Sequence, residues 1–214
     1  ASLAAVSEAR DTCALLDQLP EAAQRAEEYA QSAVRIWCER VLRLAKDGKL
    51  DRAELLLQDL PPVLHAAAPS TDGEKDRCQA EVNCLRAVSL VEQGRFREAG
   101  AAFEKAVELD WPKADLADRG TKAILAATQK ALDEGQAELA RDATQFGDGL
   151  VSALSQDGMG AGFAPAFREK ALGLWIAKLK KAVATEEYQE GRRFLEYVPN
   201  EWGEPSSEAK KVLQ

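Results

Sequence analysis

The chain has 214 residues and a formal net charge of -8. Such an acidic balance lacks the basic stripe that a phosphate backbone needs, which sets nucleic acid aside as a partner, and no apolar run approaches the roughly 20 residues of a membrane span. Ala, Leu, Glu, Lys, Arg and Gln dominate, all of them strong helix formers, and alternating β-branched runs are absent, so the expectation is an all-α chain.

Taken in order, residues 1–20 read as an N-terminal helix and a possible cap, 21–199 as a helical array, and 200–214 as a tail with one short terminal helix. The first helix runs from Ser2 to Gln18 and is interrupted at Leu19-Pro20. Pro20 suits the start of a long second helix, Glu21 to Lys46, because the first turn of a helix has no use for its missing N–H. Asp47-Gly48 stops that helix, and Leu50 to Leu60 forms a shorter one that Pro61-Pro62 ends. Thr71 and Glu74 have the spacing of a capping box, which predicts a helix from there to Gln93. Gly94 closes it, and Phe96 to Leu109 follows as an amphipathic helix whose Phe96, Ala99, Phe103 and Ala106 share one face.

Beyond Pro112 the pattern predicts helices over Lys113 to Glu134 and Gln136 to Gln156, divided at Gly135. Gly147 and Gly149, in the second of these, mark either a close helix contact or a kink. Asp157 to Pro165 reads as a loop, Phe167 to Ala184 as a helix, and Tyr188 to Val198 as its partner across Thr185-Glu186-Glu187.

The stretch from Ala80 to Pro112 resembles the tetratricopeptide repeat. Ala87 takes the small place of that family's first helix and Leu90 the large place after it. Gly94 is at the turn, Ala99 and Phe103 take the Ala and aromatic places of the second helix, Ala106 follows, and Pro112 closes the unit one residue late. Asn83 stands where the family has Trp, and Arg86 where it has Leu. The turn recurs at Gly48, Gly94, Gly135 and Glu186, at spacings of 46, 41 and 51 residues, longer than the family's period of about 34. Five residues after each turn come Ala53, Ala99, Ala140 and Gly191, all small. Nine after come Leu57, Phe103, Thr144 and Leu195, and eleven before come Trp37, Asn83, Ile124 and Trp175. The resemblance implies a right-handed superhelical array of antiparallel helix hairpins, about four units plus an N-terminal helix.

In that family the first helices of successive units line a concave surface that takes peptides or helices. Carried over unit by unit, the groove residues are Arg35, Cys38 and Leu42; Glu81, Cys84 and Val88; Lys122, Leu125, Gln129 and Leu132; and Ile176, Lys180 and Val183. The set is apolar with a few charges, which suits an amphipathic helix or an apolar peptide. A clamp for chaperone tails, which in such domains combines Lys, Arg and several Asn, is not expected, since the only asparagines are Asn83 and Asn200.

Other features carry little chemistry. His65, the only histidine, has no second ligand at metal-binding spacing and reads as a connector residue. Gly158 to Gly162 has the composition of a phosphate loop, but no strand precedes it and no Lys-Ser/Thr follows. The acidic pairs Glu27-Glu28, Asp133-Glu134 and Glu186-Glu187 point about 100° apart on a helix and form no acid–base dyad. Cys13, Cys38, Cys78 and Cys84 follow no zinc spacing. Their even number leaves disulfides open, while free, buried thiols are the expectation. Cys38 and Cys84 take the same place in successive units, too far apart for a bridge if the helix axes are about 8–10 Å apart.

No catalytic residue, metal or cofactor is therefore expected, and the functional reading is a non-enzymatic interaction or scaffold module for a protein or peptide partner. The alternatives are a structural domain of a larger protein whose groove is filled by its own chain, or a regulatory domain that binds a small molecule. The chain starts at Ala1 rather than Met, and neither end is an obvious polar cap of the kind a repeat array needs, although the first helix could serve as one. The expectation is a segment of a longer protein that continues past Gln214 into at least one more helix.

Overall fold

A computed structural model of the chain describes residues 20–60, 72–155 and 162–199. The expected first helix, His65, the Gly158 to Ala161 stretch and the tail after Pro199 lie outside these residues, as does Cys13. The fold is all-α. Among the described residues there are eight helices and no strand: α1 (Pro20–Lys46), α2 (Leu50–Gln58), α3 (Asp72–Glu92), α4 (Phe96–Glu108), α5 (Lys113–Asp133), α6 (Ala137–Ser155), α7 (Phe163–Ala184) and α8 (Tyr188–Tyr197). The chain divides into two compact units, Ala1–Leu85 and Arg86–Gln214, with the division falling inside α3.

Five connections use one backbone device. Gly48, Gly94 and Gly135 have φ of 77°, 73° and 76°, and Asp110 and Glu186 join them at 56° and 60°. In each case the N–H of the left-handed residue donates to the carbonyl three residues back, and the next N–H donates to the carbonyl five back. At Gly94 these acceptors are Val91 and Leu90, and at Glu186 they are Val183 and Ala182. This is the Schellman ending, which satisfies carbonyls that the last helical turn leaves open. The turn at Asp110, between α4 and α5, has no glycine to announce it. Asp enters the left-handed region more readily than most residues because its short polar side chain bonds locally.

The turns also set how each following helix starts. The N-cap residues Lys49, Arg95, Pro112 and Glu187 make no side-chain capping hydrogen bond. Helix α7 begins at Phe163, earlier than expected, so Phe163 to Pro165 are helical and not loop. Pro165 falls in the first turn, where its absent N–H costs no internal hydrogen bond.

In the first unit, Val34, Cys38, Val41 and Ala45 recur on one face of α1. They pack with Ala53 and Leu57 of α2 and with Cys78 and Val82 of α3. The Trp37 indole N–H crosses to α2 and donates to the Leu56 carbonyl at 2.8 Å. Ion pairs from Arg35 to Glu74 at 3.7 Å and from Lys46 to Glu81 at 3.6 Å join α1 to α3. The first is largely exposed and contributes at most about 1 kcal/mol; in the second the Lys46 end is exposed and the Glu81 end half-buried.

In the second unit α5 packs on α6 and α7, α6 on α7, and α7 on α8, while α6 also meets α4 and α8. The helices thus form two rows, α5 beside α7, and α4, α6 and α8 in sequence. Its core joins Ala131 and Leu132, Ala137 and Ala140, Leu172, Trp175 and Leu179, and Phe194 and Val198. Trp175 is fully enclosed; its indole N–H donates to Thr144 Oγ1 at 3.3 Å, and its ring meets Phe194 edge-on at 6.3 Å. The Thr144 hydroxyl in turn donates to the Ala140 carbonyl at 2.6 Å, so neither buried polar group is left unsatisfied. Arg168 joins α7 to α6 through Asp148 at 2.6 Å.

Candidate interaction surface

The positions counted from each turn behave alike. Ala53, Ala99, Ala140 and Gly191, five after the turn, are all buried. These are the places where only a small residue lets the returning helix approach. Seven before the turn, Val41, Ala87, Thr128 and Leu179 are all fully enclosed. Eleven before, Asn83, Ile124 and Trp175 are buried and Trp37 is half-buried. Nine after, Leu57, Phe103 and Thr144 are buried, but in the last unit Phe194, not the half-buried Leu195, fills the core. The edge of the Trp175 ring selects Phe194 there.

The thirteen residues expected to line a groove divide by burial. Cys38, Cys84 and Leu132 are buried and offer a partner no surface. Leu132 lies three residues before its turn and packs into the core of the second unit. The cysteines lie ten before their turns. At the same place the longer Leu125 and Ile176 are half-buried, and Ile176 packs against the core of the second unit.

In the first unit, Arg35 is exposed and paired to Glu74, Leu42 is half-buried, and Glu81 is half-buried and paired to Lys46. In the second unit, Val88 on α3 is half-buried. Lys122, Leu125 and Gln129 lie on α5, and Ile176, Lys180 and Val183 on α7. The two lysines are exposed and the other four half-buried. Because α5 and α7 pack side by side, the structure brings these six onto two adjacent helices. Lys122 holds Asp118 at 2.7 Å one turn back along α5.

Comparison with protein-family models, with curated proteins and with solved structures finds no match to this chain.

One feature of the second unit was not anticipated from the sequence. A cleft of about 160 Å³ opens between the Gly94 and Gly135 turns, lined in part by Val91, Phe96, Ala127, Lys130, Glu134 and Leu139. Leu139 is 36% exposed. Its signal in the sequence is a large apolar residue close after a glycine turn, which by itself does not separate a packed side chain from one lining a cleft. Among the described residues, no group of three or more His, Cys, Asp or Glu could hold a metal ion. No described helix is long and apolar enough to cross a membrane.

Proposed function

We propose that this chain is a non-enzymatic interaction or scaffold module of tetratricopeptide type: a right-handed superhelical array of hairpins that presents a largely apolar surface to a helix or peptide of another protein. The observation that carries this reading is the recurrence of one turn with the same hydrogen bonds, followed at Gly48, Gly94, Gly135 and Glu186 by a small, buried residue five places on. Repeated hairpins of this kind bury one face against a neighbour and leave another face free for recognition. Lys122, Leu125, Gln129, Ile176, Lys180 and Val183 form the reachable part of that surface in the second unit. Half-buried aliphatic residues flanked by lysines suit the apolar stripe of an amphipathic helix with acidic flanks. The small-molecule alternative has less behind it, since a cleft of about 160 Å³ is below the roughly 300–1,000 Å³ typical of ligand sites.

The test is selection of helical peptides from a displayed library against the chain, followed by titration of the selected peptide into a Leu125→Glu, Ile176→Glu variant. The expected outcome is loss of binding by at least about tenfold, a change of about 1.4 kcal/mol, in a variant that still melts cooperatively. Failure of any peptide to bind the unaltered chain would favour the self-filled structural domain. Binding that ignores the double substitution would move the surface elsewhere.

A further inference from the structure

Cys38 on α1 and Cys78 on α3 belong to one buried cluster in the first unit. Both are free thiols. The Cys78 thiol donates to the Cys38 backbone carbonyl oxygen at 3.8 Å. A side chain that touches the backbone of the facing helix puts the two chains close together, and a disulfide needs Cα atoms within about 7 Å. We propose that Cys38 and Cys78 are an oxidisable thiol pair, which hydrogen peroxide converts into a disulfide joining α1 to α3.

The two sulfurs have different roles. The Cys78 side chain beside it pulls the Cys38 thiol below its ordinary pKa, with burial and Glu74 opposing it and Lys75 assisting. The Cys38 side chain, together with burial, pushes Cys78 up. Cys38 at 8% exposure is also more open than Cys78 at 3% or Cys84 at 0%. Cys38 is therefore the attacking sulfur, since the thiolate is the nucleophile. Its lone pair forms an S–O bond to the peroxide, the O–O bond breaks, and the leaving hydroxide takes a proton to become water. Cys78 then loses its proton and attacks the Cys38 sulfenic sulfur. The S–S bond forms, the S–O bond breaks, and the departing hydroxide takes up that proton as a second water. Two thiols lose two electrons in all, and one peroxide is reduced to two waters.

The test uses the full chain, treated with hydrogen peroxide, alkylated at its remaining thiols and digested without reduction. Trypsin would leave Cys78 and Cys84 on one peptide, but Glu81 lies between them, so a glutamate-specific protease separates them for mass spectrometry. The expected result is a Cys38–Cys78 linked peptide two hydrogens lighter than its parts, with Cys84 alkylated. In a Cys78→Ser variant, peroxide should leave a sulfenic acid on Cys38 that dimedone captures. In Cys38→Ser, no dimedone adduct should form on Cys78. Should a variant fold poorly, the peptide map of the unaltered chain decides alone. Cys38 and Cys78 both still alkylatable, each oxidised separately to a sulfinic acid, or either one linked to Cys13 or Cys84, would overturn the proposal.

Discussion

A single added methyl group should separate the two glycines of α6. A Cβ on Gly147 would run into the Phe167 ring and lie 2.9 Å from Ile124 Cγ2, whereas one on Gly149 would meet nothing within 4 Å. Gly147→Ala should therefore cost about 1–3 kcal/mol through overpacking. Gly149→Ala should stabilise by up to about 1 kcal/mol, the helix-propensity difference. Denaturant midpoints moving in opposite directions would bear this out, and midpoints moving together would refute it. Glu186 offers a second single-residue test, because its φ of 60° places a side chain where L residues lose about 1–2 kcal/mol. Glu186→Gly should raise stability by about 0.5–1 kcal/mol, the gain being trimmed by the greater freedom of glycine in the unfolded chain. The sequence marked both α6 glycines as a close contact or a kink. It could not show which one a neighbouring ring would cover, because Phe167 comes from a different helix.

For whole elements, α4 gives the cleanest comparison. Ala99 is fully buried and Ala101 exposed, two residues apart. Ala99→Leu should destabilise the fold by about 1–3 kcal/mol by forcing the returning helix away, while Ala101→Leu should change the thermal melt little. Similar melts for the two would break the repeat alignment. Most helix ends were legible in the sequence to within a residue or two, because Gly48, Gly94, Gly135 and Pro112 punctuate it with strong backbone preferences. The start of α7 was not, since Pro165 reads as a breaker when its place in a first turn is unknown. The connection before Pro112 was legible, but its left-handed residue was not, since at Asp110 an ordinary polar residue performs a glycine's task. The surface was legible in outline only. Leu132 and Leu125 look alike in a hydrophobic pattern, and only the direction of the facing helix decides that one is core and the other reachable.

At the scale of the molecule, the second unit is built from contacts between neighbours in the chain. Each helix from α5 to α8 meets the next one, and the one after that in its own row. Such quasi-linear packing lets parts of a structure open separately. Native-state hydrogen exchange should therefore show graded protection, strongest along α5 to α7 and weaker in α8, which packs on α7 and α6. Uniform protection across all four helices would show that the unit opens only as a whole. Two of the four tryptophans stand eleven residues before their turns, one in each unit; Trp37 is alone in the first unit, and the second carries Trp111 and Trp202 besides Trp175. Trp175 is sealed from solvent, while Trp37 is half-buried. Trp175 should emit at shorter wavelength and resist iodide quenching, and Trp37 should be quenched more readily. In a Trp111→Phe, Trp202→Phe variant that keeps only these two indoles, loss of order in one unit can then be told from loss in the other by colour, without attaching a dye.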